Sequence, residues 1–406
     1  MAIVERTTPT QLLALGGLGA ALLWVVAFLN GTLDNMNAAI AKGEFPDGRL
    51  LRSTFTGFGP IDGRIEYLVA FYEVLSNNTT LGPRLLFVNI NFLIAATNIW
   101  VFVESRRRGV RNMALRHPVP FMLLWLGLGA AFIQPLYFWL HTRTKAVVRD
   151  PTVPHNEAIA LFFAALPAFL LPLFLFVPPW LGMSTYSHHG YIGAFLGSPF
   201  LIVVACLSVV GLLIPWYGVV AKKDAKRPHV DKPWIVATFV LTGVLSAAVH
   251  LGCVYASLTS SNPDMSLARV FLPSPSKMHS FPSDPVTLGL APDGTNTTLV
   301  SHLPAAYHTL YEGYHLFTQL DYAVVSAACV VFAHWMLHNR GGEKAVRGAT
   351  MSSTEFRDMV LLVLVSLVIG PAAAGSFAFA AREKKIRETM LPNGVGNAHK
   401  RAVKTE

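Results

Sequence analysis

Three carboxylates fall within one short, otherwise apolar stretch, Gly59-Pro60-Ile61-Asp62-Gly63-Arg64-Ile65-Glu66-Tyr67-Leu68-Val69-Ala70-Phe71-Tyr72-Glu73. Wound as a helix, Asp62, Glu66 and Glu73 stand at i, i+4 and i+11 and share one face within about 40°. Arg64 is turned about 160° away from Asp62 and reaches toward a polar interface. The chemistry such an acidic stripe offers is proton donation, because an acid removed from water tends to keep its proton until a substrate takes it. A solvated helix end, with Asp62 part of a Gly-Pro-Ile-Asp lead-in, is the competing reading of the same residues.

A second cluster runs Glu312-Gly313-Tyr314-His315-Leu316-Phe317-Thr318-Gln319-Leu320-Asp321-Tyr322. His315 and Gln319 are one helical turn apart, and Asp321 opens an apolar run. One acid from each of two distant helices suits a reaction that protonates one end of a substrate and deprotonates the other; helix capping by Asp321 is the alternative. Between the acids lie Tyr72, Tyr137, Phe138, Trp139, Tyr314, Tyr322, Phe332 and Trp335. Aromatic faces stabilise a carbocation by about 0.5–2 kcal/mol per contact, although such rings also serve packing and interface belts.

These residues must be positioned by membrane helices. Of 406 residues 53% are hydrophobic and 14% charged, and the mean hydropathy is +0.46, too little polar surface for a soluble globule of this size. Apolar stretches long enough for a hydrocarbon core of about 30 Å cover 12–29, 85–103, 119–138, 158–177, 192–217, 235–255, 322–337 and 359–380, with a short ninth at 61–75. The expected fold class is therefore an all-α polytopic bundle of about eight (seven to nine) spanning helices, a single integral membrane domain over 1–406. The first segment lacks the flanks of a cleaved signal peptide and reads as a retained helix. Residues 30–60 and 259–310 read as extramembrane loops, the first with an amphipathic fragment at 33–40 suited to the membrane surface, and 382–406 as a basic polar tail.

The net charge of +9 collects at Arg106, Arg107, Arg108, Arg111 and Arg116, at Lys222, Lys223, Lys226 and Arg227, and in the tail. That is the pattern of juxtamembrane anchors, and the implied partner is a bilayer with no nucleic acid. The clusters do not agree on one orientation, and the sequons at Asn30, Asn77, Asn78 and Asn296 leave it open. Cys206, Cys253 and Cys329 suggest neither disulfides nor a metal site. Among fourteen histidines no pair is expected to share a helix face as zinc ligands would, with His188 and His189 in a loop and pointing apart. Glu104 beside the arginines, and Glu383 with Arg382, read as ion pairs at the interface. Nucleotide-binding and zinc-protease motifs are absent, and no internal repeat marks a transporter.

With these segments in place, the chain resembles a fungal family of membrane-integral proteins that includes the terpene cyclases of ascofuranone-like and macrophorin-like meroterpenoid pathways. The resemblance runs from about Gly57 to Arg387. It is carried by Gly57-Phe58-Gly59-Pro60-Ile61-Asp62, Val69-Ala70-Phe71, Glu104-Ser105-Arg106, Pro135-Leu136-Tyr137 with His141, Ala165-Leu166-Pro167-Ala168, Phe317-Thr318-Gln319-Leu320-Asp321-Tyr322, and Gly370-Pro371 leading to Arg382-Glu383.

The resemblance implies acid-initiated cyclisation of an epoxidised prenyl chain, such as a farnesyl-aromatic compound, in the endoplasmic reticulum membrane. A prenyltransferase and a flavin epoxidase would be pathway partners. No cofactor or metal is implied, because ionisation occurs by protonation, in keeping with the missing DDxxD motif. Asp62 and Asp321 are the first-choice acid and base, with Glu66, Glu73 and His315 as further catalytic candidates. Tyr72, Tyr137, Trp139, Tyr314, Gln319 and Tyr322 are candidate substrate contacts. If so, Asp62, Glu66 and Asp321 should line one cavity with carboxyls roughly 8–15 Å apart, faced by at least one of Tyr137, Trp139, Tyr314 and Tyr322. A non-catalytic carrier or scaffold of a biosynthetic pathway is the alternative from another class.

Overall fold

The computed structural model describes residues 9–77, 81–143, 150–224, 229–278, 305–338 and 351–390. Asn78, Lys226, Arg227, Asn296, the 279–304 part of the long polar stretch and the tail beyond Met390 lie outside them. The described chain is helical, with one isolated bridge between Glu44 and Leu50 as its sole β pairing.

Among the described residues, five helices are long and apolar enough to cross a membrane: Thr10–Leu29 (α1), Leu81–Ser105 (α4), His155–Trp180, Lys232–Thr259 and His308–His338. A sixth arises if Thr185–Leu196 and Ser198–Leu212, bent by 60°, count as one span. The expected eight are corrected by breaks that apolarity alone does not reveal. The 119–138 segment divides at Gly129 into Val119–Leu128 (α5) and Ala130–Thr142 (α6). The 359–380 segment divides at Gly370 into Ser353–Ile369 and Pro371–Met390. Both glycines adopt φ near +90°, where an L side chain is strained, and Pro371 starts the next helix at the position that needs no N–H donor.

α4 is apolar almost all round and is nearly wholly buried at the centre of the bundle, as such a helix must be. Peripheral helices instead expose Val204, Leu207, Val244, Leu251, Leu364 and Leu367, surface suited to lipid. The amphipathic fragment predicted for the membrane surface is the helix Thr32–Lys42 (α2), and it packs inward. Thr32, Met36 and Ala39 are buried, and Thr32 meets the backbone of the long helix Ala305–His338 (α13) at Gly313, where any Cβ would collide. The acid-bearing helix Gly59–Ser76 (α3) follows.

Glu104 and Glu383 do meet arginines, as expected, and they do so in one buried network, with Glu383 paired to Arg107 and Arg387. Arg107 Nη2 donates to Glu104 Oε1 at 2.7 Å and also pairs with Glu383. Arg382 pairs with Glu104 at 2.8 Å, and Arg387 pairs with Asp231 at 2.7 Å. Burial on this scale is tolerable only because every charge meets an opposite one. The tail is accordingly helical through Met390, with Arg382 and Arg387 buried.

Candidate active site

Five helices and one helix break line a pocket whose empty space, open solvent included, is about 710 Å³. On α13, Tyr314, Phe317, Thr318 and Asp321 line it, an i, i+3, i+4, i+7 set that makes one stripe of a helix. On α4 the same spacing brings Phe87, Ile90, Asn91 and Ile94 to the opposite wall. α3 contributes Tyr67, Leu68, Phe71 and Tyr72, α2 contributes Leu33 and Met36, and Trp24 comes from α1. The rings interlock: Phe71 lies 4.8 Å from Tyr314 and 5.2 Å from Phe317, Tyr72 lies 5.2 Å from Phe87, and Trp24 lies 6.0 Å edge-on from Phe317. This wall offers quadrupole faces to a cation and little else to bind water.

Asp321 is the one carboxylate in that wall. It lies in the interior of α13 and does not open the helix as expected. Its Oδ1 accepts a 2.5 Å hydrogen bond from the Ala131 backbone N–H, so it caps α6 from across the bundle. The α5–α6 break at Gly129 makes this approach available by presenting the unsatisfied amides of a new helix N-terminus. Trp24 Nε1 donates to Leu128 O at 3.0 Å and caps the other side of the break.

The expected convergence of Asp62, Glu66 and Asp321 is corrected: neither Asp62 nor Glu66 lines the cavity. Asp62 folds back on its own lead-in, where its carboxylate accepts from Thr56 N and Oγ1, both at 2.7 Å, and from Gly57 N at 3.0 Å. The Thr56 backbone bond, above all, holds its carboxyl below the usual carboxylate range. Glu66 is half-buried, and desolvation pushes it up. Glu73 is buried, which alone would raise it, but the His188 hydrogen bond and the Arg49 charge outweigh burial and bring it down to about 2. Arg49 Nη1 stands 2.6 Å from Glu73 Oε1, and His188 Nδ1 stands 2.6 Å from Oε2.

The histidines also require correction. His188 and His189 lie in the helix Thr185–Leu196, and both approach Glu73 Oε2, at 2.6 Å and 3.6 Å. His334 and His338 do share a helix face, with ring centroids 4.8 Å apart. No group of three or more His, Cys, Asp or Glu is placed to hold a metal among the described residues.

Of the expected substrate contacts, Tyr72 and Tyr314 line the cavity and the others do not. Tyr137 packs on Phe121 and Trp125. Trp139 stacks with Arg143, and Tyr322 packs on Phe271. Gln319 is a latch: its Nε2 donates to Arg269 O at 2.8 Å and its Oε1 accepts from Ser274 N at 3.2 Å. It holds the segment 267–278, expected as irregular loop, as short helical turns against α13. His315 is buried beside that segment. Sequence reasoning missed Trp24, Tyr67, Phe71, Phe87, Asn91 and Trp125; for Tyr67 and Phe71 the signal available was the periodicity of α3 around its acids.

The residues that enclose this cavity fall inside a region, 8–387, that matches the family model described as the CtvD domain. The chain belongs to the CtvD-domain family. This CtvD-domain chain is 40% identical over 385 residues to terpene cyclase DEP1 of Alternaria brassicicola, covering 94% of its own length and all of the relative's. It is 38% identical to terpene cyclase DEP1 of Fusarium langsethiae over 94% of its length and all of that protein. To terpene cyclase alnG of Emericella nidulans it is 24% identical, over 91% of this chain and 92% of the relative. No solved structure matches the chain.

Proposed function

We propose that the protein is a membrane-embedded terpene cyclase of fungal secondary metabolism that folds a prenyl chain in the aromatic cavity and starts the reaction from Asp321. The observation that carries this reading is a lone carboxyl set among aromatic faces, in a chain similar over 94% of its length to proteins named terpene cyclases. A carrier or scaffold has no need of a single acid at that point, and the relatives favour the cyclase.

The substrate we assign is a farnesyl-aromatic compound bearing an epoxide. Oδ1 of Asp321 is engaged by the Ala131 amide, so Oδ2 is the oxygen that donates. Its proton passes to the epoxide oxygen, the C–O bond to the more substituted carbon opens, and the alkenes add in turn to the developing cation. The carboxylate left behind is held by the α6 N-terminus, which favours negative charge. Phe71, Tyr314, Phe317 and Trp24 present ring faces to the cations. Loss of one proton from the final cation balances the one supplied, so the overall reaction is an isomerisation that consumes no cofactor. The bilayer gathers the prenyl chain without further cost, since its tail partitions there. Residence in the endoplasmic reticulum, beside a prenyltransferase and an epoxidase that make the substrate, completes the reading.

The test is to incubate microsomes containing the protein with epoxyfarnesyl phenols. Cyclised product should form with wild type and vanish with Asp321→Asn; product that persists in Asp321→Asn removes Asp321 from the reaction.

A further inference from the structure

Several polar atoms around the cavity already have partners. The Thr318 hydroxyl donates to Tyr314 O at 2.8 Å, the Thr32 hydroxyl to Asn30 Oδ1 at 2.6 Å, and the Trp24 indole to Leu128 O. Two others do not. Asn91 is 2% exposed and Trp125 is 1% exposed. Both line the cavity, yet Asn91 Oδ1 and Trp125 Nε1 have no hydrogen-bond partner among the described residues. Asn91 Nδ2 donates to Phe87 O at 2.8 Å, and because a carbonyl can face only the NH₂ end of an amide, this contact fixes Oδ1 as the free end. Trp125 is held on its flank by Tyr137, with ring centroids 6.1 Å apart and planes at 87°.

A buried donor and a buried acceptor left open in an aromatic wall are costly unless a ligand completes them. A prenyl chain offers neither group. A hydroxyl offers both, one proton to give and lone pairs to accept. We infer that Asn91 Oδ1 and Trp125 Nε1 bind the hydroxylated head of the substrate and so determine which end of the prenyl chain reaches Asp321. The inference rests on the cyclase reading for the class of ligand, and assigns to that reaction a head-group site formed by α4 and α5.

Three probes separate the two contacts: an epoxyfarnesyl phenol, its methyl ether and the corresponding arene without oxygen. The ether keeps the acceptor for Trp125 and loses the donor for Asn91; the arene loses both. Binding and turnover would be measured on the full chain purified into lipid nanodiscs, with melting temperature as a check on folding. Wild type should bind the phenol on the order of 10–100-fold more tightly than the arene, with the ether between them. Asn91→Leu should erase the difference between phenol and ether, and Trp125→Phe the difference between ether and arene, while binding of the arene stays at the wild-type level. Wild type that binds all three alike, or variants that weaken all three equally, overturn the head-group site. Selective binding without any cyclised product would leave the site standing and remove the cyclase reading; cyclisation with no selectivity does the reverse.

Discussion

The aromatic cavity and the ion network at the ends of α4 and Pro371–Met390 both bury charge, but they treat it differently. In the network, Glu104, Arg107, Asp231, Arg382, Glu383 and Arg387 satisfy one another through direct pairs. In the cavity, Asp321 accepts from the Ala131 backbone N–H on Oδ1 and has no ion-pair partner among the described residues, and its neighbours are rings. Density of charge therefore identifies the part of the molecule that holds the bundle together. The proposed reaction instead uses a charge-capable group left incompletely matched next to space.

That contrast is tested first at its reactive pole. Asp321→Asn should keep the Ala131 bond through its carbonyl oxygen and lose the transferable proton, lowering kcat/KM by about 10²–10⁴-fold with little change in melting temperature. Product formation in membranes, normalised to folded protein, measures this. A variant that unfolds and loses activity in parallel would place Asp321 with the structural charges.

At the network pole the expected effect is on folding. Arg107→Met leaves Glu104 with Arg382 and Glu383 with Arg387 but puts the buried network one negative charge in excess, and should destabilise the protein by about 3–5 kcal/mol, read as a lower melting temperature and poor recovery from membranes, while the folded fraction turns over at the wild-type rate. Normal stability in this variant would show that the network is not what joins the C-terminal helix to α4.

Glu73 gives a smaller effect with a defined pH dependence. Its carboxyl is brought down to about 2 from an ordinary 4.5, so its pairing with His188 and Arg49 stabilises the fold above about pH 4.5 and that contribution is lost as pH falls toward 2. Melting temperature should fall over this window in wild type, and less steeply in Glu73→Gln. An identical slope in both proteins would mean that Glu73 is not ionised against these partners.

The smallest effect is expected at Asp62. Asp62→Asn weakens the bonds to Thr56 and Gly57 and should leave kcat/KM within about threefold of wild type. A loss as large as that of Asp321→Asn would restore the two-acid mechanism suggested by the sequence.

The acid stripe on α3 shows how sequence and structure divide the information. Periodicity correctly placed Asp62, Glu66 and Glu73 near one helix face, but a helical wheel carries no record of what stands opposite. Asp62 met its own preceding loop and Glu73 met Arg49 and His188, residues 24 earlier and 115 later in the chain. The motif around Asp321 was legible for the converse reason: its cavity face is built mainly from residues spaced by helical turns within one segment.

By itself the sequence determined the long apolar helices, the helical content, the family resemblance and Asp321 as a candidate acid, because hydropathy and 3.6-residue periodicity are local properties. The tertiary structure alone decided that Gly129 and Gly370 split two apolar runs, that α2 turns inward as a cavity wall, and that six scattered charges close on one another. It also decided which polar atoms, Asn91 Oδ1 and Trp125 Nε1, remain open. Those outcomes depend on which helices become neighbours, and burial makes an unmatched polar group expensive only after the packing has fixed its surroundings.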